Sequence, residues 1–218
     1  MSESLDGRAL AECVHENVVA TFVEGCGRMT GGRVERLGGA VLVASGLPSL
    51  LFNQVLVEPG DPSAEAVAAG ITAAVGRFRE LGTRFVVTLR GGIDHAQVSL
   101  MAELGLEPLT ESPWIPGMAL HPLSSPAQLA LPAGHEIRQV DDDRGLADHV
   151  DVLTAGFGMP REWAVAFVTD SLVRMPGVAF YVGYQDGNPV TCGMGLRTGR
   201  AIGLYSIATV EGARRRGY

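Results

Sequence analysis

The chain has 218 residues, 46% of them hydrophobic and 19% charged, enough apolar material for one large or two small globular domains. Its formal net charge is -7, and all 17 basic residues are arginine. An acidic chain without lysine is poorly suited to nucleic acid or an anionic membrane, because both select net positive charge; an anion site has to be local.

From Arg8 to about Cys26, Leu10, Val14, Val18 and Phe22 recur at steps of four, one face of a helix. Arg33–Ala44 and Leu50–Val57 are rich in Val and Leu and read as two strands around a turn. The uncharged run Leu37–Val57 is long enough to cross a bilayer, but Ser45, Gly46, Pro48, Asn53 and Gln54 interrupt it, so buried strands are expected, not a membrane span. Asp61-Pro62 reads as an N-cap with proline at the first helical position. Val67, Ile71, Val75 and Phe78 continue that helix, and Gly82 closes it. Phe85–Leu89 reads as a short strand. Asp94 and Gln97 resemble a capping box opening a helix that carries Val98, Met101 and Leu104 and ends at Gly105. The proline-interrupted Glu107–Leu123 suits an edge strand or extended return.

Ser124–Glu136 is rich in Pro, Ala and Ser and has no periodicity, the composition of a linker. We expect one domain over residues 1–131 and a second over 132–218. The second opens with a strand at Glu136–Val140. Asp141-Asp142-Asp143 then reads as a helix cap; consecutive side chains do not face one another, which argues against a metal. Leu146, Val150, Leu153 and Phe157 form a helical face, Gly158-Met159-Pro160 breaks it, and a second helix is expected from about Arg161 to Met175. Val178–Tyr184, Pro189–Arg197 and Ala201–Thr209 read as a three-strand meander turning at Asp186-Gly187-Asn188 and Thr198-Gly199-Arg200. The order echoes the first domain, which suggests a structural duplication. Cys13, Cys26 and Cys192 are too scattered for a disulfide framework or a zinc site and read as reduced thiols. With no basic-then-apolar start to the chain, a cytoplasmic location is expected.

One stretch carries chemistry. The strand ending Ile207-Ala208-Thr209 runs into Val210-Glu211-Gly212-Ala213-Arg214-Arg215-Arg216-Gly217-Tyr218. Such a loop can turn successive N–H groups toward one anion, while Gly217 lets that anion approach the backbone. A solvated basic turn is the plainer reading of the same residues. There is no G-x-G-x-x-G after a first strand and no Gly-Lys-Ser/Thr, so dinucleotide-fold and P-loop readings fail. Gly193-Met194-Gly195 lies inside a strand and reads as packing.

Arg214-Arg215-Arg216-Gly217-Tyr218 is similar to the first five positions of motif A of the GNAT superfamily of N-acetyltransferases, strand–[QR]-x-x-G-x-[GA]–helix. The order of elements over Glu136–Tyr218 resembles that family as well. The resemblance implies a mixed α/β fold with two GNAT-like domains, the second incomplete. It implies acetyl-CoA as donor and a primary amine, on a small molecule or peptide, as acceptor. It places the acetyl and pantetheine groups against the backbone of Ile207, Ala208 and Thr209, and the pyrophosphate on Arg214, Arg215, Arg216, Gly217 and Tyr218. A fixed strand N–H would stabilise the charge that develops on the acyl oxygen. In the first domain the corresponding loop, Glu58-Pro59-Gly60-Asp61-Pro62, has no arginine and two carboxylates, so it reads as a degenerate copy that does not bind acetyl-CoA. No metal is expected.

The catalytic acid and base are not identified. The family's usual tyrosine would fall after residue 218. Tyr205 and Ser206 lie on the motif strand, which has no carboxylate. His149 is a possible base, though a satisfied surface histidine is the plainer reading, and Trp163 either walls the acceptor site or packs a core. A ligand-sensing or protein-interaction module on the same fold is the alternative to an enzyme. Because the chain stops inside the motif, Tyr218 is not expected to be the natural C-terminus. The 218-residue chain alone is expected to be inactive. The last strand is expected to be an exposed edge able to self-associate.

Overall fold

The Asp6 carboxylate accepts from the Ala9 N–H, satisfying one of the orphan donors that every helix start leaves, and α1 (Gly7–Gly27) follows. The computed structural model describes residues 5–109, 116–123 and 131–218. The chain divides into two units, Met1–His121 and Pro122–Tyr218. On α1 the expected apolar stripe is only partly buried; Asn17, Val19, Thr21, Gly25 and Cys26 are the residues that pack.

After α1 the first unit continues with β1 (Arg33–Arg36), β2 (Ala40–Ala44), β3 (Gln54–Val57), α2 (Ala64–Leu81), β4 (Val86–Thr88), a short 3-10 turn at His95–Gln97 and α3 (Val98–Glu103). Its sheet runs β1-β2-β3-β4, antiparallel except for the parallel β3–β4 pair. Every residue of β2 and β3 is buried, with α1 and α2 both packed against β2. Strands covered this way are apolar without alternation, which explains the membrane-like run in the sequence. Among the described residues no helix is long and apolar enough to cross a membrane.

Three local expectations are corrected here. Arg33–Ala44 is a hairpin, not one strand. It turns at Gly38, with φ +75°, and Gly39, where a Cβ would overlap the Ala66 carbonyl of α2. Ser63, not Asp61, caps α2, accepting from the Ala66 N–H, while Asp61 sits at φ +59° and pairs with Arg8. Asp94 makes no capping bond, because its carboxylate grips Arg90. Residues 107–109 and 116–123 form no strand; 110–115 and 124–130, part of the expected edge strand and most of the expected linker, lie outside the described residues.

The second unit comprises β5 (His135–Gln139), α4 (Asp143–Phe157), α5 (Arg161–Phe167), α6 (Asp170–Val173), β6 (Val178–Gln185), β7 (Asn188–Thr198), β8 (Ala201–Thr209) and a 3-10 turn at Glu211–Ala213. Its sheet, β5-β6-β7-β8, is antiparallel throughout. Asp142 caps α4 by accepting from the Gly145 N–H at 2.6 Å, and Gly158, at φ +64°, ends it. The single helix expected over Arg161–Met175 is two, broken at Val168 and restarted by the Thr169 cap. Asp186 and Gly187, both at positive φ, close the tight β6–β7 turn.

Phe180, Val182, Met194, Leu196 and Ala208 are buried on one face of this sheet, the side against which α4 packs. The other face is open. Tyr181, Ile202, Leu204 and Ile207 stand exposed around a shallow trough of about 640 Å³. Gly193 and Gly195 line that trough rather than packing a core. β8 is one of the two edge strands of this sheet, with β5 the other. Cys26 and Cys192 are buried in the first and second units, and burial pushes both thiols up to about 12.

Candidate functional site

β8 carries a bulge. Cys192 of β7 faces Ala208 and Met194 faces Tyr205, so Ser206 and Ile207 together oppose the single residue Gly193. Ser206 takes φ +54°, and its carbonyl accepts the Cys192 thiol at 3.5 Å. The extra residue resets the alternation of the strand. Ile207 turns to the open face, 63% exposed, and Ala208 turns into the core. A Cβ at Gly193 would meet the Ile207 side chain at 3.7 Å, an ordinary packing contact.

The strand then runs out toward its free edge. The Val210 N–H donates inward to the Val190 carbonyl at 3.0 Å. Antiparallel alternation therefore turns the backbone groups of Thr209 outward, away from β7. The Thr209 carbonyl accepts Arg214 Nε at 3.1 Å, and Arg214 Nη2 donates to the Gly156 carbonyl of α4 at 2.8 Å. Arg215 and Gly217 take φ +62° and +82°, which kinks the loop twice. Arg215 and Arg216 are exposed and form no ion pair among the described residues. Tyr218 stacks on His135 of β5 at 4.9 Å between ring centres. All the residues that the motif singled out thus lie at one end of one sheet, and the Arg214 side chain is turned back onto the protein.

α4 supports this end closely. A Cβ at Gly156 would stand 2.6 Å from the Ala208 Cβ, so only glycine lets the helix lie this near β8. His149, on α4, is fully buried, not a surface residue. Its Nδ1 donates to the Tyr181 carbonyl at 3.1 Å, its Nε2 is buried without a partner, and its ring meets Phe180 edge-on. Burial pushes its pKa down from 6.5 to about 4, against the opposing effect of the hydrogen bond. The Tyr184 hydroxyl donates to Asp148 at 2.7 Å beneath the Arg138 guanidinium, and burial, then Asp148, pushes the phenol up to about 12. Trp163 on α5 is partly buried. Among the described residues no cluster of His, Cys, Asp and Glu is arranged to hold a metal ion.

The equivalent strand end in the first unit is built differently. The Gly60 N–H donates to Glu12 Oε1 at 3.1 Å, and Glu12 Oε2 lies 3.5 Å from Arg90 Nη1. Arg90, with its side chain 11% exposed, is clamped by Asp94 through Nε and Nη2 at 2.8–3.2 Å. Glu58 pairs with Arg36 and Asp61 with Arg8. His15 Nε2 donates to the Val57 carbonyl at 2.9 Å, and burial, the largest influence, lowers its pKa. Sequence reasoning singled out Glu58 and Asp61 but missed Glu12 and Arg90, which come from distant helix and loop positions. It also missed the β8 bulge, for which Gly193 in the facing strand is the one available signal.

No protein-family model and no curated protein sequence matches the chain. Among solved structures, it is similar to a GCN5-related N-acetyltransferase from Kribbella flavida, at 15% identity, covering 95% of this chain and 76% of that one with a TM-score of 0.61. Looser likenesses are to a tandem GNAT protein from the clavulanic acid biosynthesis pathway (13% identity, 97% of this chain and 79% of that one, TM-score 0.45) and to a conserved protein of unknown function from Staphylococcus epidermidis (14%, 85% and 75%, 0.47). The chain has the mixed α/β fold of the GCN5-related N-acetyltransferases.

Proposed function

We propose that the protein transfers an acetyl group from acetyl-CoA to a primary amine of a small-molecule or peptide acceptor, with the donor held by the second unit. The observation that carries this reading is the bulged edge strand β8 running directly into a twice-kinked arginine–glycine loop. The residues suit the donor. Thr209 turns its N–H to the free edge, Gly217 leaves the backbone open, and Arg215 and Arg216 hold unpaired positive charge in an acidic chain. Acetyl-CoA, when bound, supplies the activated acyl group. The backbone of Ile207–Thr209 lies along that group, and the outward Thr209 N–H stabilises charge developing on its oxygen, a role for which a donor fixed in a strand needs no reorganisation. Loop N–H groups and the two free arginines hold the pyrophosphate.

Titration with acetyl-CoA tests this. At a hundredfold excess over Kd the second unit gains about 2.7 kcal/mol, seen as a raised Tm. Replacing Arg214, Arg215 and Arg216 together by alanine removes the gain. No shift in the unaltered protein, or an equal shift in the variant, refutes the donor site. The second reading, a ligand-sensing or interaction module, is favoured by one observation: His149, the base candidate on α4, is buried with Nδ1 committed to a backbone carbonyl. Acetyl transfer to any amine of a broad panel decides for the enzyme.

The same argument makes the first unit a copy that does not hold the donor. Its loop N–H at Gly60 is given to Glu12, and Arg90 is held by two carboxylates. Density for CoA beside Glu58–Asp61 in a soaked crystal would overturn this.

A further inference from the structure

We infer that Arg214 is the positioning residue of the loop: its side chain joins the end of β8 to the end of α4, and the charge that meets a phosphate is left to Arg215 and Arg216. This rests on the acetyl-CoA reading of the loop and goes beyond it by dividing three adjacent arginines into two roles.

The geometry separates them. Arg214 spends Nε on the Thr209 carbonyl and Nη2 on the Gly156 carbonyl, at 3.1 and 2.8 Å. Thr209 ends β8, and Gly156 lies in the last turn of α4. The final carbonyls of a helix have no partner within it and carry its negative pole. A guanidinium there is satisfied by the carbonyl and held by the dipole. The planar fork lets one side chain reach two carbonyls on different elements in fixed directions, which a lysine cannot do. The brace also fixes where the chain leaves β8. Val210 is pinned to Val190 on one side and Thr209 to Arg214 on the other, so the kinks at Arg215 and Gly217 begin from a defined point. Arg215 and Arg216 have no such ties among the described residues and are exposed to a ligand.

Two readouts on Arg214→Ala, Arg214→Lys, Arg215→Ala and Arg216→Ala test this. The first is acetyl-CoA affinity at low and high salt. Exposed charges are screened by salt, so Arg215→Ala and Arg216→Ala weaken binding several-fold at low salt and much less at high salt. Arg214→Ala weakens it about tenfold at both, because a geometry is lost, and Arg214→Lys, which keeps the charge but not the fork, behaves like the alanine variant. The second is amide exchange. Arg214→Ala accelerates exchange at residues 209–218 and at the end of α4 while β6 stays protected, and Arg215→Ala does neither. Wild-type affinity in Arg214→Lys, a loss in Arg214→Ala that salt abolishes, or unchanged exchange in Arg214→Ala overturns the assignment. If the unaltered protein does not bind acetyl-CoA, the donor reading falls, and the exchange pattern alone decides the brace.

Discussion

Acidifying the protein from pH 7 to pH 4 is expected to destabilise the second unit by about 3 kcal/mol, and His149→Phe is expected to remove most of that dependence. His149 is fully buried with its unprotonated Nε2 facing no partner, and burial lowers its pKa to about 4. In the unfolded chain the same ring takes up a proton near its ordinary 6.5. Between those two values the unfolded state binds more protons than the folded one, so stability falls as pH drops through this window. It is complete above about 6.5 and reaches its floor below about 4. A shift of this size corresponds to about 3 kcal/mol at 1.36 kcal/mol per unit. Denaturant unfolding followed by exchange at β6 amides measures it; a flat profile from pH 7 to 4, or an unaltered slope in the phenylalanine variant, would contradict the assignment.

Gly156→Val is expected to cost the second unit about 3 kcal/mol, the upper range for overpacking, and, on the proposed donor site, to weaken acetyl-CoA binding as well. A Cβ at this position meets Ala208 at 2.6 Å and the Thr209 nitrogen at 3.4 Å, so α4 must lift from β8. Lifting it carries the Gly156 carbonyl away from Arg214. The helix itself gains from losing a glycine, so a net loss isolates the contact with the strand. The gentler pair Gly156→Ala and Ala208→Gly separates the causes: the first destabilises, and adding the second restores much of the loss, because the clash is between two Cβ atoms. Urea midpoints for the three proteins give the answer, and failure of Ala208→Gly to rescue would place the defect elsewhere.

Most helices and strands were legible because their signals are local. The caps at Asp142 and Gly158 and the Asp186-Gly187 turn do in space what the sequence implies, since each satisfies its own backbone within a few residues. The hairpin at Gly38-Gly39 was not legible, because its cause is the backbone of α2 lying against it. Asp94 looked like a cap and became an ion-pair partner, since a partly buried arginine four residues away competes for the same carboxylate. At the candidate site the loop was readable as a motif. The bulge that aims Ile207 outward depends on register with a neighbouring strand, and the hydrogen bond from Arg214 to Gly156 depends on a helix 58 residues earlier in the chain, so neither leaves a contiguous trace. His149 misled for a related reason: its isolation in the sequence says nothing of the sheet packed over it.

The concealed thiols give each unit a clock of its own. Thiolate is the reactive form of cysteine, and burial at Cys26 and Cys192 suppresses it. A neutral alkylating reagent can therefore reach each sulfur only when its own unit opens, after the partly buried Cys13 has reacted. Mass spectra taken over time then show Cys26 reporting the first unit and Cys192 the second, in one sample and without any introduced label. Because the Cys192 thiol rests on the Ser206 carbonyl, its clock is set at the bulge itself. On the donor reading, acetyl-CoA held against β8 slows alkylation of Cys192.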